Sequence, residues 1–201
     1  MLRSLNVCFF IINLLVITPI SAQVDSEGPG APVDQIPPQL DLGQPVQQGL
    51  QLGARYVKQA YNDWDLVCLK TDQETDPCSM MQVLRDNTNN PVAEVLIFRL
   101  ENGGQAVAGA TIMVPLETLL TAQLTISVDG GTARRYAYSF CEQIGCVARI
   151  GLTQADVDAF RHGNLAQVSL RPAQAPEQLV TLDMSLSGFT AAYNVVDVVA
   201  N

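Results

Sequence analysis

Histidine is nearly missing from this chain: His162 stands alone among 201 residues, beside a single tryptophan and eleven lysines and arginines. A hydrolase triad would need that histidine beside a nucleophile on a sharp turn, and no G-x-S-x-G segment exists, since Ser187-Gly188 lacks the leading glycine. His162 reads more simply as a last-turn helix residue whose protonated form suits the helix dipole. Basic residues are scarce and scattered, with Arg134-Arg135 the sole doublet, against a formal net charge of −9. An acidic surface repels phosphate backbones and anionic lipid heads, so no nucleic-acid partner is expected. No cofactor is expected either, because phosphate-cradling glycine loops and EF-hand spacing are absent. Gly103-Gly104 and Gly130-Gly131 read as hairpin turns.

Long apolar runs are missing as well. The longest, Leu5 to Ile17, is broken by Asn13 and falls short of the roughly 18–20 residues that cross hydrocarbon. Arg3 before it, Pro19 after it and Ile20-Ser21-Ala22 give the anatomy of a secretory signal peptide, expected over residues 1–22. Its removal takes Arg3 away and leaves the mature chain more acidic still, with no membrane span after cleavage. Residues 23–60 are rich in proline, glycine and glutamine, as in Gly28-Pro29-Gly30 and Ile36-Pro37-Pro38. Such a segment buries too little apolar surface to offset ordering entropy, and a linker is expected, with a short helix docking somewhere in Gln47 to Tyr61.

A domain is expected over residues 61–201, and from Trp64 onward the hydrophobic period becomes two. Leu124, Ile126 and Val128 alternate with polar neighbours, as do Val180, Leu182 and Met184; each run puts apolar side chains on one face of a strand. Val92 to Leu100 is more continuously apolar, as in a strand buried on both faces. Nine strands are expected, at 64–69, 79–86, 92–101, 105–114, 123–128, 133–140, 145–150, 164–171 and 178–186. Residues 79–114 read as a three-stranded meander. Thr153, with Asp156 at the capping-box position, starts one short helix with Val157 and Phe160 inward, and Gly163 ends it. A second helix follows Gly188 toward the C-terminus. Many half-buried strands with two helices argue for a mainly β fold, an antiparallel sandwich.

Cys8 lies in the leader. The remaining four cysteines, Cys68, Cys78, Cys141 and Cys146, allow three connectivities. Predicted strand positions favour the local pairs: Cys68 ends one strand where Cys78 opens the next, and Cys141 and Cys146 flank a tight turn. Each small loop so closed is worth about 2–3 kcal/mol in the chain-entropy picture. Zinc is the alternative, but no C-x₂-C knuckle occurs, and no other metal is expected. Paired carboxylates are the remaining chemistry: Asp63 and Asp65 flank Trp64, and Asp72, Glu74 and Asp76 cluster between the first two cysteines. These read as a solvated acidic loop. Arg134, Tyr136, Tyr138 and Phe140 fall on one face of the predicted strand 133–140. Most of these aromatics suit the core, but Arg134, Tyr136 and Tyr138 are what a protein-binding patch would use if that face is partly open.

Several segments occur in a familiar order: Asp63-Trp64-Asp65-Leu66-Val67-Cys68, Cys78-Ser79-Met80-Met81-Gln82, Val114-Pro115-Leu116, Val128-Asp129-Gly130-Gly131, Tyr138-Ser139-Phe140-Cys141, Gly145-Cys146-Val147-Ala148 and Ser185-Leu186-Ser187-Gly188-Phe189. Over about residues 61–199 this set resembles the invasion-associated locus B (IalB) family of exported bacterial proteins. Glu117 departs from it, where the family often carries glycine. The resemblance implies an immunoglobulin-like β-sandwich in the periplasm or on the cell surface, and a contribution to host-cell invasion. It brings no catalytic residues. The expectation is a non-enzymatic envelope interaction protein whose partner is an envelope or host-surface protein. The alternative is a periplasmic assembly or maintenance factor, and after it a carboxylate-using enzyme.

Overall fold

The structure, a computed structural model, describes residue 43 and residues 49–101 and 104–200. The signal peptide and most of the expected linker lie outside the described residues. The chain divides into two units at Val46/Gln47, and every element below belongs to the second.

Five consecutive strands form an antiparallel meander: β1 (Arg55–Tyr61), β2 (Trp64–Leu69), β3 (Cys78–Arg85), β4 (Pro91–Leu100) and β5 (Ala108–Val114). Beside β5 lie β9 (Gly145–Leu152) and then β8 (Phe140–Glu142). The short β12 (Val198–Val199) runs parallel to the end of β4, completing an eight-stranded sheet. The second sheet has four strands, ordered β11 (Val180–Ser185), β10 (Leu165–Leu170), β6 (Leu124–Val128) and β7 (Arg134–Tyr136). Helices α1 (Gln154–His162) and α2 (Phe189–Val195) add to one core. The expected sandwich of antiparallel sheets with two short helices is therefore present.

Alternation explains the core. Leu66, Met80, Val95 and Ile112 from the large sheet meet Leu124, Val168 and Leu182 from the small one, all buried. Phe189 is the hub of an aromatic cluster. Trp64 meets it edge-on at 5.6 Å, Phe160 of α1 edge-on at 5.4 Å, and Tyr193 stacks on it at 5.6 Å. Both helices are thereby tied to β2. Helix α1 starts as its sequence dictates: Thr153 accepts from the Asp156 amide, and the Asp156 side chain accepts from the Thr153 amide. Gly163 ends it without a left-handed residue (φ −77°). Close approach explains that glycine, since a β-carbon there would lie 2.7 Å from Val128 Cγ1.

The structure departs from the sequence expectations in four places. The helix expected in Gln47–Tyr61 is replaced by strand β1, paired along β2. A register shift between Val57 and Gln59 breaks its two-residue period, and Gly53 at φ +83° disfavours a helix. The strand expected over 133–140 is two pieces: β7 stops at Tyr136 in the small sheet, and Phe140 pairs with Val147 in the large one. Apolar alternation continues through this corner although the chain changes sheets. Helix α2 ends at Val195, and the chain returns along β4. Finally, β4 is not buried on both faces: Ala93, Val95 and Ile97 are in the core, whereas Leu96 and Phe98 point away and are half-buried.

Candidate interaction surface

Both local cysteine pairs are bonded, Cys68–Cys78 and Cys141–Cys146. Each joins residues directly opposed across an antiparallel ladder, with Cα atoms 4.0 and 3.9 Å apart. Their settings differ. Cys68 and Cys78 are both buried, whereas Cys141 is exposed on the edge strand beside a turn tipped by Ile144. Exchange requires an attacking thiolate to reach sulfur, so limiting dithiothreitol should open 141–146 at least about tenfold faster than 68–78. Timed alkylation with peptide mapping reads this order; equal rates would contradict it.

Three of the family-like segments, those holding Trp64, Gln82 and Ser185, converge on one knot between the sheets. The Gln82 side chain donates to the Asp63 and Ser185 carbonyl oxygens at 3.0 Å each and accepts from the Ser185 amide at 2.9 Å. Trp64 Nε1 donates to the same Ser185 carbonyl at 2.9 Å, and Ser185 Oγ donates to the Asp63 carboxylate at 2.6 Å. Asn62 Nδ2 donates to Ser187 Oγ at 3.2 Å. Buried polar groups are tolerable when paired in this way, and a complete network fixes one arrangement of the core. The sequence marks Gln82 only as a glutamine inside an apolar alternation, at an inward position of β3. Asp63 is thus a structural acceptor. Asp65 sits two residues on, at the outward face of β2.

The acidic loop also proves organised. Asp76 accepts from the Thr71 amide at 2.8 Å, Thr71 Oγ1 at 3.1 Å, Tyr56 OH at 2.9 Å and Lys70 Nζ at 3.2 Å. These donors, the Thr71 amide first, hold its carboxyl down from 3.8 to about 2. Asp86 is held near the same value by Thr88 and Asn90 in the β3–β4 turn. A carboxyl whose folded pKa is lowered adds stability above its unfolded pKa and loses it as pH falls through the folded one. Stability should therefore drop between about pH 4 and pH 2, and Asp76→Asn should flatten that drop. Urea melts across this pH range test it; an unchanged slope in Asp76→Asn would be inconsistent. Asp72 and Glu74 are exposed. His162 is exposed too, with Nδ1 2.7 Å from the Asp158 carbonyl oxygen. Among the described residues, no group of three or more His, Cys, Asp or Glu gathers as a metal site would require.

The structure brings Arg134 and Tyr136 together and sets Tyr138 apart. Arg134 reaches from β7 to α1 and pairs with Asp156 at 2.9 Å. Tyr136 lies half-buried beside them, and burial, then the Asp156 charge, raise its pKa, with Arg134 partly opposing. The two residues line an open cleft of about 350 Å³ between the β6–β7 hairpin and α1, floored by Ile126, Leu152 and Phe160. Tyr138 instead lies on the corner between sheets, where burial pushes its phenol up to about 12. Its hydroxyl has no hydrogen-bond partner among the described residues. Phe140 belongs to the large sheet beneath Arg149, whose guanidinium lies 5.2 Å from the ring centroid. A second cleft of about 640 Å³ opens between the sheets at their far end, with Val92, Pro115, Leu170 and Leu179 in its wall and Asp86 and Glu117 beside them.

Residues 64–197 match the family model described as invasion associated locus B (IalB) protein. An invasion protein B homolog of Brucella abortus strain 2308 is 26% identical over 140 residues, covering 70% of this chain and 79% of the relative. A homolog from B. abortus biovar 1 strain 9-941 matches with the same figures. The crystal structure of invasion associated protein B from Bartonella henselae superposes with a TM-score of 0.57 at 23% identity, covering 68% of this chain and 92% of that one. That likeness establishes a shared fold.

Proposed function

The chain belongs to the invasion associated locus B family, and from that premise we propose that it is an exported, non-enzymatic interaction module of the bacterial envelope. It acts in the periplasm or on the cell surface, and it contributes to host-cell invasion where the parent bacterium enters host cells. The observation that carries this reading is the use made of the family-like residues. Trp64, Gln82, Ser185 and both cysteine pairs are committed to one another as a scaffold. What remains for function is surface.

The cleft between β7 and α1 supports a protein partner best. It offers an arginine and a tyrosine over an apolar floor, the residue types that concentrate binding energy at interfaces. Asp156 holds the Arg134 guanidinium at the rim, which lowers the ordering cost when a partner docks. No helix among the described residues is long and apolar enough to cross a membrane.

A photoreactive residue placed at Thr132, on the lip of this cleft, tests the proposal in living cells. Crosslinking followed by mass spectrometry should give one dominant envelope or host-surface protein. The same probe at exposed Glu177, outside the cleft, should not capture it. Equal capture at both positions would count against the cleft.

A further inference from the structure

An antiparallel sheet with one face on the core ordinarily carries polar residues on the other. The large sheet instead sets apolar side chains among Asp65, Glu94, Thr111 and Arg149 on that face. Met81, Leu96, Phe98 and Met113 point away from the core and are half-buried, and Val83 and Phe140 are each 37% exposed. The ladder makes them one patch: Met81 opposes Leu96, Met113 opposes Val147, and Val147 opposes Phe140. Phe98 lies flat over Gly109, where a β-carbon would collide with its ring. Among the described residues, the Arg55 side chain of β1 reaches onto this face, 3.3 Å from Met81 Sδ and 3.0 Å from the Glu94 carboxylate.

We infer that the outer face of the large sheet is the interface of a two-fold dimer, with a second copy of this chain as its occupant. Charge placement argues for self-pairing. One cross-strand row runs Asp65, Met81, Leu96, Thr111, Arg149, on β2, β3, β4, β5 and β9. The acid and the base stand two strands to either side of Leu96. A two-fold axis parallel to β4 through Leu96 places Asp65 of each copy against Arg149 of the other. It also sets Met81 against Thr111 and, one row on, Val83 against Met113. Reciprocal contacts of this kind are what an isologous interface requires. Neither Asp65 nor Arg149 has an ion-pair partner among the described residues. Glu94, which the axis sets against its own copy, is already neutralised by Arg55 at 3.0 Å.

Size is sufficient. Strands about 4.8 Å apart and about seven residues long, at ~3.3 Å each, give a face of roughly 800 Å² across the sheet. A standard stable interface takes about 800 Å² from each partner. Methionines suit such a face because their flexible thioethers fill irregular gaps.

Sedimentation velocity on the protein, expressed from its full sequence and purified from the cell, reads the association. A concentration-dependent dimer is expected. Asp65→Arg alone and Arg149→Asp alone should each weaken it about tenfold or more, because each sets like charges together twice. An equimolar mixture of those two variants should restore dimers, since the heterodimer has both pairs complementary. Circular dichroism confirms that the variants fold. Should either not, Leu96→Cys replaces them: on the axis, two copies should join through a new disulfide under mild oxidation. A protein that stays monomeric to about 100 μM would overturn the inference. So would a dimer indifferent to both charge reversals, or one that Leu96→Cys fails to link.

Discussion

Gly188→Ala is expected to cost roughly 3–5 kcal/mol of stability, well beyond the usual effect of a glycine replacement. Gly188 has φ +87°, and a β-carbon on it would run into the Tyr61 carbonyl. The left-handed backbone alone costs an L-residue about 1–2 kcal/mol. The collision costs more, because Tyr61 ends β1, and Gly188 sits between the Ser185–Ser187 knot and the first turn of α2. Relief would require the helix to withdraw from the sheet. Gly53 provides the contrast: at φ +83° it is as left-handed, but nothing lies within 4 Å of its would-be β-carbon. Gly53→Ala should cost about 1 kcal/mol, so the pair separates backbone conformation from steric conflict. Urea melts of both variants measure the difference; equal losses would show that the approach to Tyr61 is unimportant.

Phe189→Ala should be as damaging, about 3–5 kcal/mol, by a different route. Phe189 is fully buried and touches three aromatic rings, so truncation leaves a cavity whose walls are held by separate elements. Trp64 is anchored by its bond to the Ser185 carbonyl and Phe160 by α1, so neither can move in to fill it. Edge-on and stacked ring pairs add about 0.5–1.5 kcal/mol each beyond area burial. Phe189→Leu should recover a large part of the loss by restoring volume without the ring edges. A loss below about 1 kcal/mol for Phe189→Ala would mean the cluster is not the hub of the core.

How much of this was legible in the residues depends on whether local pattern and tertiary context agree. They agree at Thr153 and Asp156, where a capping box announces α1, and in the β3–β4–β5 meander, where alternation and turn residues coincide. They agree at the cysteines, whose loops are short enough for strand pairing to bring them together. They disagree at β1, where a bulge hides the two-residue period and strand pairing with β2 decides the conformation. They disagree again at Tyr136 to Phe140, where one alternating stretch serves two sheets, so Tyr138 leaves the face that Arg134 and Tyr136 share. The cleft beside α1 joins residues more than fifteen positions apart, such as Arg134 and Asp156, and no local pattern records that meeting. The apolar outer face was visible in Val92 to Leu100, although the pattern does not say whether anything covers it.

The proposed function assigns the scaffold to the family-like residues and binding to the surface beside α1; one substitution tests that division most directly. Arg134 is 55% exposed in its ion pair, and such pairs contribute about 0–1 kcal/mol, so Arg134→Ala should leave the melting temperature within about 4 °C of the parent. In intact cells the same variant, probed from Thr132, should lose most of the crosslinked partner. Undiminished capture by a folded Arg134→Ala protein would contradict the account.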